Sequence, residues 1–139
     1  MKILFVCTGN TCRSPMAQIM AQGLFGDGYE VFSAGLMAMP NAAASAHAVT
    51  AMHERKFDLS KHRAQLVTET LLESASLILA MTEGHKEALV NAAPDKVYTL
   101  GEYASCGTSI SDPYGGDLMV YQKCAEEIFE LLLKINDRI

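Results

Sequence analysis

The chain carries little charge and has no long apolar run. Charged residues make up 19% of its 139 positions, and the formal net charge is −5. That balance offers no basic surface for nucleic acid or an anionic membrane, so neither is expected as a partner. No stretch approaches the roughly 18 apolar residues of a membrane-spanning helix. The N-terminus also lacks the charged region, apolar stretch and cleavage site of a signal peptide. The cytoplasm is the expected location. Cys7, Cys12, Cys106 and Cys124 fit neither a zinc pattern nor a small secreted disulfide framework. His47, His53, His62 and His85 show no metal-ligand spacing, so they read as structural or surface residues. No metal or cofactor is expected. Repeats, low-complexity segments and linkers are absent, and residues 1–139 read as one domain.

What is present is an alternation of apolar runs and helical patterns. Apolar residues make up 50% of the chain, enough for a soluble packed core. Residues 2–6 form a continuous apolar run, as in a strand buried on both faces of a parallel sheet. Helical spacing follows over 15–25 and is stopped by Gly26-Asp27-Gly28. Further strands are expected over 29–33, 77–80 and 97–100. Further helices are expected over 42–56, 66–74, 83–92 and 118–136, with Thr68 near the start of the second of these. Residues 102–111 read as irregular. On the last helix Val120, Cys124, Ile128, Leu131 and Ile135 share one stripe, so Cys124 reads as core and, like Cys106, as unreactive. The alternation predicts a single-domain α/β fold with a parallel sheet and helices on both faces. Ligands in such sheets bind beyond the carboxyl ends of the strands.

The first strand runs into Cys7-Thr8-Gly9-Asn10-Thr11-Cys12-Arg13-Ser14, and Pro15 suits the first position of the helix that follows. A strand–loop–helix junction of this kind gathers free N–H groups at a helix N-terminus, which favours an anion. Gly9 and Asn10 tolerate the positive φ that turns successive N–H groups inward into a nest. Arg13 can close over it and grip two phosphate oxygens with its planar fork. Cys7 lies at the floor of that positive nest, a setting that favours a thiolate aimed at phosphorus. The Ser14 hydroxyl can donate to the sulfur. Thr8 to Ser14 are the candidate phosphate-binding residues. Cys12 shares the loop, and its sulfur is positioned to capture an oxidised Cys7 as a disulfide; its other reading is a small residue packed beneath the loop.

This loop resembles the signature of the low-molecular-weight protein tyrosine phosphatase family. Ser33-Ala34-Gly35, Leu77-Ile78-Leu79-Ala80-Met81-Thr82 with His85, and Asp112-Pro113 fall in that family's order. Thr11 and Asp112-Pro113-Tyr114-Gly115-Gly116 are similar to its protein-arginine-phosphatase branch. The resemblance implies the strand order 2-1-3-4 and a phosphocysteine intermediate on Cys7, with Arg13 holding the phosphate. It implies that Asp112 is the general acid, and then the base that activates water. Phosphorylated protein substrates, inorganic phosphate as product and a monomeric state are expected with it.

Two other classes compete. An arsenate reductase of the same fold would need further cysteines close together, whereas Cys106 and Cys124 stand far apart. A non-catalytic phosphate-binding module would not need Cys7, Arg13, Ser14 and Asp112 together. Within the phosphatases, a phosphotyrosine slot wants aromatic walls. Residues 36–56 contain no aromatic, and Tyr114 supplies one wall only. Met37 and Met39 are placed to border the pocket. A guanidinium wants a carboxylate and polar walls, which Asp112 and Thr11 offer. Phosphoarginine is therefore the expected substrate, phosphotyrosine the alternative, and Thr11 and Tyr114 the expected specificity residues.

Overall fold

The computed structural model describes residues 1–107 and 109–139. Four strands form one parallel sheet in the order β2-β1-β3-β4, as expected. They are β1 (Lys2–Cys7), β2 (Glu30–Gly35), β3 (Leu77–Ala80) and β4 (Val97–Thr99). Among the described residues six helices connect and follow them: α1 (Arg13–Phe25), α2 (Ala46–Glu54), α3 (Glu69–Ser74), α4 (Glu83–Val90), α5 (Leu100–Tyr103) and α6 (Leu118–Asn136). In β1, alternate side chains serve opposite faces. Ile3, Phe5 and Cys7 join a core with residues of α1, α2, α5 and α6. Leu4 and Val6 join a second core with Leu72 and Ala75 beside α3 and Leu89 and Ala93 beside α4. Burial on both faces is why β1 reads as an unbroken apolar run.

The register brings the end of the sheet to the phosphate loop. Cys7 pairs with Gly35 across β1 and β2, and Val6 pairs with Ala80 across β1 and β3. Cys7, Gly35 and the turn after β3 thus share one edge. Gly35 is required by close approach: a Cβ there would stand 2.6 Å from the Thr8 carbonyl and 2.9 Å from the Asn10 nitrogen.

Several boundaries differ from the sequence-based expectation. Helix α1 begins at Arg13, so Pro15 is its third residue. It still lies in the first turn, where a missing N–H costs nothing. Helix α2 begins at Ala46 rather than Ala42, because Ser45 caps it by accepting from the Ala48 N–H. The residues before it stay extended, and Ala43 bridges to Arg63. Helix α4 ends at Val90, short of the expected Ala92. The stretch expected to be irregular opens inside α5, which Thr99 and Glu102 secure with a reciprocal capping box; Thr108 of that stretch lies outside the described residues. On α6 the buried stripe holds Tyr121, Cys124, Ile128, Leu131 and Ile135, whereas Val120 is exposed. Asp117 caps this helix, and its rotation turns Tyr121 rather than Val120 to the core.

Candidate active site

Asn10 is the hub of the loop after β1. Its φ of +56° is the left-handed value expected for this position, and Gly9 is not in that region. Asparagine tolerates the conformation, and its side chain repays it with three hydrogen bonds. The amide donates to Ser14 Oγ at 2.8 Å and to Ser33 Oγ at 2.9 Å, and its oxygen accepts from the Gln65 backbone at 3.0 Å. The backbone carbonyl accepts from His62 Nε2 at 2.8 Å. Burial of His62 is the main cause holding its pKa below the ordinary histidine value. The loop is therefore braced from β2 and from residues 62–65, all far away in sequence.

That bracing bears on the bond to Cys7. Cys7 Sγ and Ser14 Oγ are 2.9 Å apart and buried. Since Ser14 already accepts from Asn10, its one hydrogen is free to donate to sulfur. A sulfur receiving that donor is supported as a nucleophile and, later, as a leaving group.

Arg13 links the loop to the segment that carries Asp112. Its side chain is only 5% exposed. One end of the guanidinium donates to the Ile110 carbonyl at 2.9 Å. The other faces Asp112 Oδ2 at 3.6 Å. Asp112 remains half open to solvent, and its other oxygen accepts the Tyr114 N–H at 3.1 Å. This local turn, followed by Gly115 at φ +82°, holds the carboxyl over the loop.

Cys7, Thr8, Gly9, Thr11, Cys12, Arg13, Asp112 and Tyr114 line one cavity of about 260 Å³. The structure thus gathers at one cavity the expected nucleophile, the arginine, the carboxylate and both expected specificity residues. Asn10 and Ser14 lie behind it as buried supports. Met37 and Met39 are highly exposed and do not line the cavity. Cys12 is buried against Tyr121, with Sγ 3.9 Å from the phenolic oxygen. Cys124 is buried on α6, and desolvation pushes its thiol up to about 12. Cys106 is half-buried, with Lys134 Nζ at 2.9 Å from its sulfur.

Sequence reasoning missed the bracing residues. His62, Gln65 and Ile110 belong to no motif, and only the fold brings them to the loop. His85 is likewise more than a structural histidine: its Nε2 lies 2.8 Å from Thr8 Oγ1. Its signal was the Thr82-x-x-His85 spacing at the start of α4, which follows strand β3 at the ligand-binding edge.

A doubly wound parallel sheet with a cysteine–arginine phosphate loop at its carboxyl edge, faced by an aspartate, defines a cysteine-based phosphatase. Comparison with known proteins gives the family. Residues 2–139 match the family described as low molecular weight phosphotyrosine protein phosphatase, and the chain belongs to it. A protein-arginine-phosphatase of Bacillus subtilis is 42% identical over 146 residues, spanning 100% of this chain and 97% of that protein. A low-molecular-weight protein-tyrosine-phosphatase of Staphylococcus aureus, PtpB, is 38% identical over 142 residues, spanning 100% and 99%. Among solved structures, the YwlE arginine phosphatase in a mutant with a phosphorylated active-site serine superposes with a TM-score of 0.95. It is 41% identical, with 99% of this chain and 95% of that chain covered.

Proposed function

We propose that this chain removes phosphate from arginine side chains of proteins through a phosphocysteine on Cys7. The observation that carries the reading is the cavity wall. It presents one aromatic, Tyr114, together with Thr8, Thr11 and the Asp112 carboxylate. A guanidinium is served by a carboxylate and small polar neighbours, whereas a phenyl ring is best held between two flat walls. The similarity to protein-arginine-phosphatases over the whole chain supports the same choice.

The proposed steps use these groups in turn. Backbone N–H groups of the loop after β1 and the Arg13 fork hold the phosphoryl oxygens. The Cys7 thiolate attacks phosphorus and forms the S–P bond as the P–N bond to the guanidinium breaks. Asp112 gives its proton to the departing nitrogen. The resulting carboxylate takes a proton from water, whose oxygen attacks phosphorus. The S–P bond breaks, its electron pair returns to sulfur, and the Ser14 hydroxyl stabilises the thiolate. Inorganic phosphate leaves. The chemistry needs a reduced thiol, which suits a cytoplasmic monomer acting on phosphorylated proteins. Cys12, in the same loop, gives an oxidised Cys7 a disulfide partner and makes the enzyme redox-regulated.

The test compares kcat/KM for phosphoarginine and phosphotyrosine in wild type and in Thr11→Ile. One extra methylene in a pocket changes discrimination by roughly ten- to two-hundred-fold. The longer aliphatic chain should cut activity on phosphoarginine by that order and spare phosphotyrosine. A wild type that favours phosphotyrosine, with a ratio unmoved by Thr11→Ile, would make this chain a tyrosine phosphatase.

A further inference from the structure

His85 is buried in the first turn of α4, and its ring touches two hydroxyls. Nδ1 lies 3.1 Å from Thr82 Oγ1, and Nε2 lies 2.8 Å from Thr8 Oγ1. Thr82 favours one tautomer. As the N-cap of α4, its oxygen already accepts the His85 backbone N–H at 3.2 Å. A hydroxyl that accepts this bond still has one hydrogen to give, and Nδ1 stands where it can receive it. When Thr82 gives that hydrogen to Nδ1, the ring hydrogen is on Nε2 and donates to Thr8. The ring is neutral as well: burial first, then the Arg13 guanidinium, lowers its pKa below 6.5, against a smaller pull from Asp112. The positive end of α4 acts in the same direction.

In that tautomer the chain of bonds runs one way, from Thr82 to His85 to Thr8. Thr8 accepts from His85 and keeps its own hydrogen for the cavity it shares with Cys7 and Arg13. Were the chain reversed, Thr8 would spend that hydrogen on Nε2 and turn only lone pairs toward an anion.

We propose that the Thr8 hydroxyl donates a hydrogen bond to the bound phosphoryl group, and that His85 is the positioning residue that fixes this direction. The loop backbone supplies amide donors to the anion; Thr8 adds a side-chain donor whose sense is set from the neighbouring strand–helix turn. The inference rests on the reading of this cavity as a phosphatase site, and it concerns how the anion is held.

The experiment measures the affinity for inorganic phosphate by calorimetry and the tautomer of the His85 ring by nitrogen NMR. Wild type should show a neutral ring with its hydrogen on Nε2 at pH 7.5. A hydrogen bond to a charged group is worth enough that Thr8→Val should bind phosphate about tenfold more weakly or worse. Thr8→Ser keeps the hydroxyl and should bind as wild type does. His85→Leu should reproduce Thr8→Val, and adding it to Thr8→Val should cost little more. His85→Gln, which places an amide donor near Nε2, should restore binding. Should His85→Leu fail to fold, Thr8→Val at its exposed position and the wild-type tautomer decide the matter. A hydrogen found on Nδ1, or phosphate affinity indifferent to Thr8→Val, would overturn the inference. Turnover of phosphoarginine and phosphotyrosine by wild type is a separate readout. If it is absent while phosphate binding depends on Thr8, the proposed function falls and the hydroxyl assignment stands.

Discussion

At the scale of the residue, the proposed mechanism separates groups that hold the anion from groups that move protons. Asp112 belongs to the second kind, and its effect depends on the leaving group. A guanidinium has a pKa of about 12.5–13.8, whereas an activated aryl leaving group departs with little help. Asp112→Asn should therefore depress hydrolysis of phosphoarginine far more than that of p-nitrophenyl phosphate. Equal losses on the two substrates would make Asp112 a structural residue held by Arg13. Cys12 yields a second expectation. Mild peroxide should inactivate wild type reversibly, and in Cys12→Ser the inactivation should resist dithiothreitol, because no thiol remains in the loop to trap the oxidised Cys7. Peptide mapping that pairs Cys7 with Cys106 would contradict this. Cys7, Arg13, Ser14 and Asp112, which carry the proposed chemistry, could be singled out because they sit in contiguous motifs. Thr8 was legible as a loop member, whereas the contact of its hydroxyl with His85 was not.

At the scale of the element, the strands and caps prepare the loop. Strand β3 and helix α6 could be read from sequence to the residue, because one is an apolar run and the other a long amphipathic stripe. Helix α5 was missed although Thr99-Leu100-Gly101-Glu102 carries a capping-box spacing. A single turn shows too little periodicity to be noticed. The late start of α2 has a similar origin: alanine favours helix at every position from 42 to 44, and the Ser45 cap decides where the helix begins. Gly35 shows what sequence leaves hidden. Nothing in Ser33-Ala34-Gly35 says that a backbone passes within van der Waals contact of the missing side chain. Gly35→Ala would push a methyl group against the Thr8 carbonyl. The loop should shift, with phosphate binding and turnover falling together while circular dichroism still reports a folded chain. Full activity in Gly35→Ala would mean that β2 yields more readily than the loop.

At the scale of the whole molecule, the class and strand order were legible from alternating segments and from the family resemblance, whereas the long-range braces were not. Two of those braces are histidines, His85 buried and His62 half-buried, and they tie stability to acidity. His62 and His85 both have folded-state pKa values below 6.5, chiefly through burial. In the unfolded chain they take up protons first as the pH falls, so the unfolded state binds more protons in that window. Their contribution is complete above about pH 6.5 and is lost as the pH falls through the folded values. Urea unfolding should show stability declining from pH 7 toward pH 5, with a shallower decline in His62→Gln and His85→Gln. An unchanged slope in both variants would assign the acid sensitivity to other groups.

The bond from Arg13 to the Ile110 carbonyl joins residues 97 positions apart, and it has a consequence for the order in which the protein is made. Cys7 leaves the ribosome early, yet β1 has no neighbours until β2 and β3 have been synthesised. The arginine acquires its anchor and the aspartate its place only after most of the chain has emerged. A nascent chain that ends before this segment carries the cysteine without the enzyme. Catalytic competence is thus acquired late, in step with completion of the fold.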